Sequence, residues 1–109
     1  MRRIARTIAL PMIALALAGC GNGEPKTTGD LDKYGQWTCD DLGQYLYDGS
    51  PENERGERLG EVVSWAKQSK HKDIQHAGRN LENLIDLPGW EAGTDLLAAT
   101  CLEHEWEAS

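Results

Sequence analysis

The sequence predicts an all-α domain, a small four-helix bundle, carried behind an N-terminal segment of different composition. Three observations point there. From Trp37 onward, apolar residues recur at helical and not at strand spacing. Cap and stop residues punctuate these stretches, at Thr38, Asp48-Gly49, Ser50-Pro51, Asp73 and Leu87-Pro88-Gly89. With 109 residues, the chain holds one domain at most.

The first helix is expected to begin at Thr38. Its hydroxyl can accept from the amide of Asp41, and Asp40 and Asp41 put negative charge at the positive helix end. Trp37 and Leu42 stand at the staple positions around that cap. Cys39, Leu42, Tyr45 and Leu46 share one face, and Asp48-Gly49 ends the helix. The second begins at Ser50-Pro51, a capping Ser with Pro at the first helical position. Leu59, Val62, Val63 and Ala66 form its inner stripe, and Glu54 and Arg58 pair on the outside. Gly56 and Gly60 weaken its first half. Lys67, Lys70, His71 and Lys72 gather at its end, where cations suit the dipole.

The third helix is capped by Asp73. It aligns Ile74, Ala77, Leu81, Leu84 and Ile85 before Leu87-Pro88-Gly89 breaks it. The fourth begins at Thr94-Asp95, with Trp90 as its earliest start, buries Leu97 and Cys101, and runs to about Trp106. Antiparallel packing of four such stripes gives the bundle.

The N-terminus follows other rules. Arg2, Arg3 and Arg6 precede Thr7–Ala18, an uncharged run too short to span a bilayer as a permanent helix and suited to a signal peptide. Residues flanking Arg2-Arg3 do not complete a twin-arginine motif. The run closes on Leu17-Ala18-Gly19-Cys20, which resembles the lipobox of bacterial lipoprotein precursors. The resemblance implies cleavage before Cys20, a diacylglyceryl thioether on its sulfur, and palmitate-type chains that retain the protein at the extracytoplasmic face of a cell membrane. Two or more acyl chains anchor stably.

The division expected is therefore a signal peptide over 1–19, a lipidated N-terminus and flexible linker over 20–35, and a helical domain over 36–109. Gly, Thr and polar residues fill Gly21–Gly29 without periodicity, as in a spacer. Removing residues 1–19 takes three basic residues and none of the 18 acidic ones, so the formal net charge goes from −7 to −10. Such a surface repels nucleic acid and anionic headgroups.

Three cysteines are an odd number for an exported chain. With Cys20 consumed by lipid, Cys39 and Cys101 remain as one disulfide stapling the bundle, two buried thiols being the alternative. In the chain-entropy view such a bond contributes about 4 kcal/mol.

Trp37-Thr38-Cys39-Asp40-Asp41 is similar to the Trp-Thr-Cys-Glu-Asp that opens the first helix of HdeA-type periplasmic acid-stress chaperones. Those are also small helical domains with one disulfide. The similarity implies an acid-responsive holdase, and this chain departs from the family in its tether and its longer loop between cysteines.

Catalytic motifs do not emerge. The sequence has no Gly-x-Ser-x-Gly elbow, no phosphate-binding Gly loop and no His-Glu-x-x-His, so neither enzymatic activity nor a cofactor is expected. His71 and His76 do not share a helix face, and His104, between Glu103 and Glu105, could hold a metal weakly; the better reading of the histidines is as surface imidazoles, and no metal is expected. Asp30-x-Asp32-x-Tyr34-Gly35 with Asp41 echoes a calcium loop. Tyr34 and Asp41, however, stand where an oxygen ligand and a bidentate Glu belong. Trp37, Trp65, Trp90 and Trp106 are read mainly as core and cap residues of a Phe-free interior, with an exposed Trp, Tyr45 or Tyr47 available to a partner.

The function expected is that of a membrane-anchored surface lipoprotein with a non-catalytic module binding an unknown protein partner. Its format is that of phage and prophage superinfection-exclusion lipoproteins. An acid-responsive chaperone and a structural envelope protein are the alternatives.

Overall fold

The computed structural model describes residues 25–49 and 52–109. The expected signal peptide, Cys20 and the Ser50-Pro51 helix start lie outside the described residues. Among these residues four α-helices follow one another: α1 (Lys33–Asp48), α2 (Arg55–Gln68, after a 3-10 turn at Glu52–Glu54), α3 (Lys72–Leu84) and α4 (Trp90–Glu103). No strand occurs among the described residues. The architecture is the expected small helical bundle, with Cys39 bonded to Cys101 across Cα atoms 5.9 Å apart.

The apolar stripes read from the sequence meet in one core. Cys39, Leu42 and Tyr45 of α1 pack with Leu59, Val62, Val63 and Ala66 of α2, Ile74, Ala77 and Leu81 of α3, and Leu97 and Cys101 of α4. Leu46, expected on the same inner face of α1, is 44% exposed. None of the four tryptophans is fully buried; Trp90 and Trp106 pack partly against the core, and Trp37 and Trp65 pair outside it. Leu, Ile and Val therefore supply the interior volume expected of tryptophan.

The start of α1 corrects the expected one. The helix begins at Lys33, and its cap is Asp32, whose carboxylate accepts from the Gly35 amide at 3.0 Å. Thr38 lies inside the helix, buried, and donates to the Tyr34 carbonyl one turn back. Residues 28–35, assigned to the linker, are thus part of the fold, and Leu31 is in the core. Their polar composition concealed this, because the cap and the single apolar anchor show no periodicity.

Two other helix starts move as well. Asp73 sits in the first turn of α3, whose capping position is His71. The His71 amide donates to Ser69 Oγ in the preceding link. At α4 the earlier start, Trp90, is the one observed, and the helix stops at Glu103. Arg55 steadies the α3–α4 turn by donating to the Ile85 carbonyl and lying 4.7 Å over the Trp90 ring. Arg58, expected to pair with Glu54, lies 3.8 Å from Asp48 and over the Tyr45 ring.

One buried polar side chain ties the chain ends together. Gln36 is 0% exposed and satisfied on both sides: Oε1 accepts from the Thr28 amide and hydroxyl, and Nε2 donates to Asp40 and to the Glu107 carbonyl. Trp106 Nε1 also donates to Asp40, so the C-terminal tail lies along α1.

Helix α3 approaches α2 closely because Gly78 faces Ala66, where an added Cβ would meet the Ala66 Cβ at 2.5 Å. Gly60 of α2 has open space around it. The same substitution should therefore act with opposite sign at the two sites. Gly60→Ala is expected to raise stability by roughly 0.5–1 kcal/mol and Gly78→Ala to lower it by roughly 1–3 kcal/mol, measured by denaturant unfolding. Equal effects at both positions would contradict this packing.

Candidate functional site

The four helices do not close equally. The seam between α1 and α4 is more sparsely packed than those joining α1 to α2, α2 to α3 and α3 to α4. At this seam an apolar groove opens, floored by the Cys39–Cys101 disulfide and walled by Leu46, Ala98, Leu102 and Trp106. Leu46 is 44% and Leu102 64% exposed. Gly43 lets the Trp106 ring approach α1 closely, since a Cβ there would stand 2.9 Å from it. A second depression continues from Gly43 and Trp106 toward Gln44 and Tyr47, which is 91% exposed. Exposed leucines over a covalent floor form an apolar surface among the described residues.

Beyond Arg79 the chain contains Glu82, Asp86, Glu91, Asp95, Glu103, Glu105 and Glu107 and no Lys or Arg, so α4 and the tail are rich in carboxylates. The charge block is legible in the sequence, and the fold shows that α4, which carries part of it, supplies one wall of the open seam through Ala98 and Leu102.

On the α1–α2 side, Tyr34, Trp37 and Trp65 form a half-buried aromatic cluster, with Trp37 and Trp65 centroids 4.8 Å apart. Lys33 lies over Tyr34 and Trp37. Trp65 Nε1 donates to Asp41 at 3.0 Å. Partial burial pushes the Asp41 carboxyl up; the Trp65 bond opposes this, and the charges of Glu61 and Asp40 add to it.

The aspartates of the calcium-like stretch take separate roles. Asp41 serves Trp65, while Asp32 caps α1 and accepts from the Ser69 hydroxyl and the Lys70 amide. Burial alone would raise the Asp32 carboxyl, but these hydrogen bonds outweigh it and hold it below the usual carboxylate range. Tyr34 belongs to the aromatic cluster.

His76 is exposed, as expected, but His71 and His104 are not isolated surface imidazoles. Their ring centroids lie 4.4 Å apart. His104, at the end of α4, places Nδ1 2.7 Å from Asp30 Oδ1 and Nε2 2.8 Å from Asp73 Oδ2. His71 Nε2 lies 2.9 Å from the Asp30 carbonyl oxygen. A carboxylate only accepts, so both nitrogens of His104 carry hydrogen in this arrangement and the ring is an imidazolium. Partial burial disfavours that charge, yet the bonds to Asp30 and Asp73 prevail and raise its pKa above the usual imidazole range. The His104 bond in turn holds the Asp30 carboxyl low. Helical spacing gave no sign of this meeting, which depends on how α3, α4 and the residues before α1 converge.

No helix among the described residues is long and apolar enough to cross a membrane. No family model, curated protein or solved structure matches the chain.

The two directions of shift set a pH window. Raised in the fold, His104 contributes stability below the ordinary imidazole pKa, and this fades as pH rises through its raised value. Lowered in the fold, Asp30 and Asp32 contribute above the ordinary carboxylate pKa, and this fades as pH falls through their lowered values. Thermal unfolding should show greatest stability between about pH 4 and 6.5, the reference carboxylate and imidazole values, and His104→Ala should flatten its alkaline side. An unchanged alkaline limb in that variant would contradict the ion-pair geometry.

Proposed function

We propose that this chain is a lipid-anchored extracytoplasmic protein whose helical domain binds another protein through the α1–α4 groove, without catalysis. The observation that carries the reading is the apolar groove over the disulfide, with Leu46 and Leu102 presented beside Trp106. A stable monomer gains little by exposing two adjacent leucines, whereas a partner that covers them gains their burial. The partner chemistry follows from the rim. An apolar side chain flanked by Lys or Arg suits a groove one wall of which belongs to α4, a helix with carboxylates and no Lys or Arg.

Delivery to a membrane surface rests on Leu17-Ala18-Gly19-Cys20 and the polar residues after it. A tether confines the groove near the bilayer, and that raises the effective concentration for a partner in the same membrane.

Cell fractionation tests the tether: Cys20→Ala should move the protein from the membrane fraction to the soluble one, and unchanged fractionation would remove the lipid anchor. Crosslinking in intact cells tests the groove. The Leu46→Glu/Leu102→Glu protein should lose the dominant partner recovered with the parent while unfolding at nearly the same temperature, because both side chains are already exposed. Recovery of the same partner would place binding elsewhere. Capture of many unrelated proteins, only in acid and regardless of the groove substitutions, would assign an acid-responsive holdase instead.

A further inference from the structure

The cluster around His104 has a composition that proton-mediated pairing does not exhaust. Donor atoms of Asp30, His71 and His104 lie within 4.8 Å of one another. They come from three separate parts of the chain: the stretch before α1, the α2–α3 link and the end of α4. Close backbone packing and hydrogen bonds hold the three segments together.

Gly29 adopts φ 54°, and a Cβ there would run into the His104 carbonyl, so the backbone before Asp30 rests directly on the end of α4. Glu105 adopts φ 62°, a left-handed conformation uncommon outside glycine, and turns the chain immediately after His104. The His104 amide donates to the carbonyl of Cys101, the disulfide residue one turn earlier. Two residues beyond Asp30, Asp32 grips Ser69 and Lys70, which precede His71.

We propose that Asp30, His71 and His104 form a binding site for a divalent transition metal, zinc by ligand type, with Asp73 orienting His104. Two imidazoles and a carboxylate are a borderline-soft donor set that suits zinc and disfavours magnesium and calcium, which take oxygen ligands. Asp73 is placed as such sites require. With Nδ1 of His104 on the metal, Nε2–H donates to the Asp73 carboxylate and fixes the tautomer and ring orientation. The Asp30 carbonyl can hold one His71 nitrogen in the same manner. A polar depression lined by Gly29, Asp30, Glu103, His104 and Glu105 opens beside the cluster and admits water as a further ligand.

The consequence is mechanical as well as chemical. A metal here would fasten the segment that leads from the tether to the end of α4, close to the disulfide.

The test is calorimetric titration of the full chain with zinc chloride, using Cys20→Ser to remove the thiol outside the disulfide. One equivalent should bind, with a rise in unfolding temperature, and magnesium and calcium should give neither. His71→Ala and His104→Ala should each weaken binding at least tenfold, and Asp73→Asn about 10- to 100-fold as an orienting partner. Cobalt should give the visible absorption of tetrahedral coordination in the parent and lose it in His71→Ala. Because His104 also pairs with two carboxylates, His71→Ala is the decisive variant if His104→Ala unfolds. Absence of stoichiometric zinc binding, or binding unaltered by His71→Ala, would overturn the proposal.

Discussion

The Cys39–Cys101 bond is the constraint on which the rest of this domain depends. Three of its helix–helix seams are more closely packed around the buried core, with Leu81 of α3 lying against Gly93 of α4. The fourth, between the first and last helices, is more sparsely packed and carries a covalent link across a sequence separation of 62. In the chain-entropy account a bond of that reach contributes about 4 kcal/mol, a large share of the stability of a domain with so small a core. A ring of helices closed in this way does not need to bury the outer leucines of its last seam.

That division of labour connects fold to function. Had α1 and α4 been held together by packing, Leu46 and Leu102 would have been consumed in the interior. With sulfur in place of side-chain contact, they remain at the surface above the disulfide. The chain termini reinforce the geometry. Gln36, Thr28, Asp40 and Glu107 knit the segment before α1 to the tail, and Trp106, bonded to Asp40, forms one wall of the groove. Gln36 is the fully buried member of this network, and leaving its side-chain groups unmet would cost about 1–3 kcal/mol per group.

The helical stripes were legible because they obey a local period. Leu59, Val62, Val63 and Ala66, and likewise Ile74, Ala77 and Leu81, lie where their spacing places them. The disulfide partners followed from cysteine chemistry once Cys20 was set aside. What escaped the sequence has no period. Leu31 is a single anchor in a polar stretch, Gln36 is a polar residue whose burial depends on partners at both chain ends, and the His71–His104 meeting is set by three converging segments. Thr38, a good cap in isolation, lost that role because Asp32 offers a cap further upstream, and its hydroxyl turned back to Tyr34 instead. The groove was invisible for a related reason: Leu46 fits the inner stripe of α1 by spacing, and only the sparse packing of the facing helix leaves it exposed.

The most direct test of this account is residue-resolved amide hydrogen exchange on the oxidised protein and on the Cys39→Ser/Cys101→Ser variant. If sulfur closes the seam, protection should fall most in the second half of α1, in α4 after Leu97 and in the tail, while Leu59–Ala66 and Ile74–Leu81 keep most of theirs. Protection lost evenly through all four helices, or retained at the seam, would contradict it.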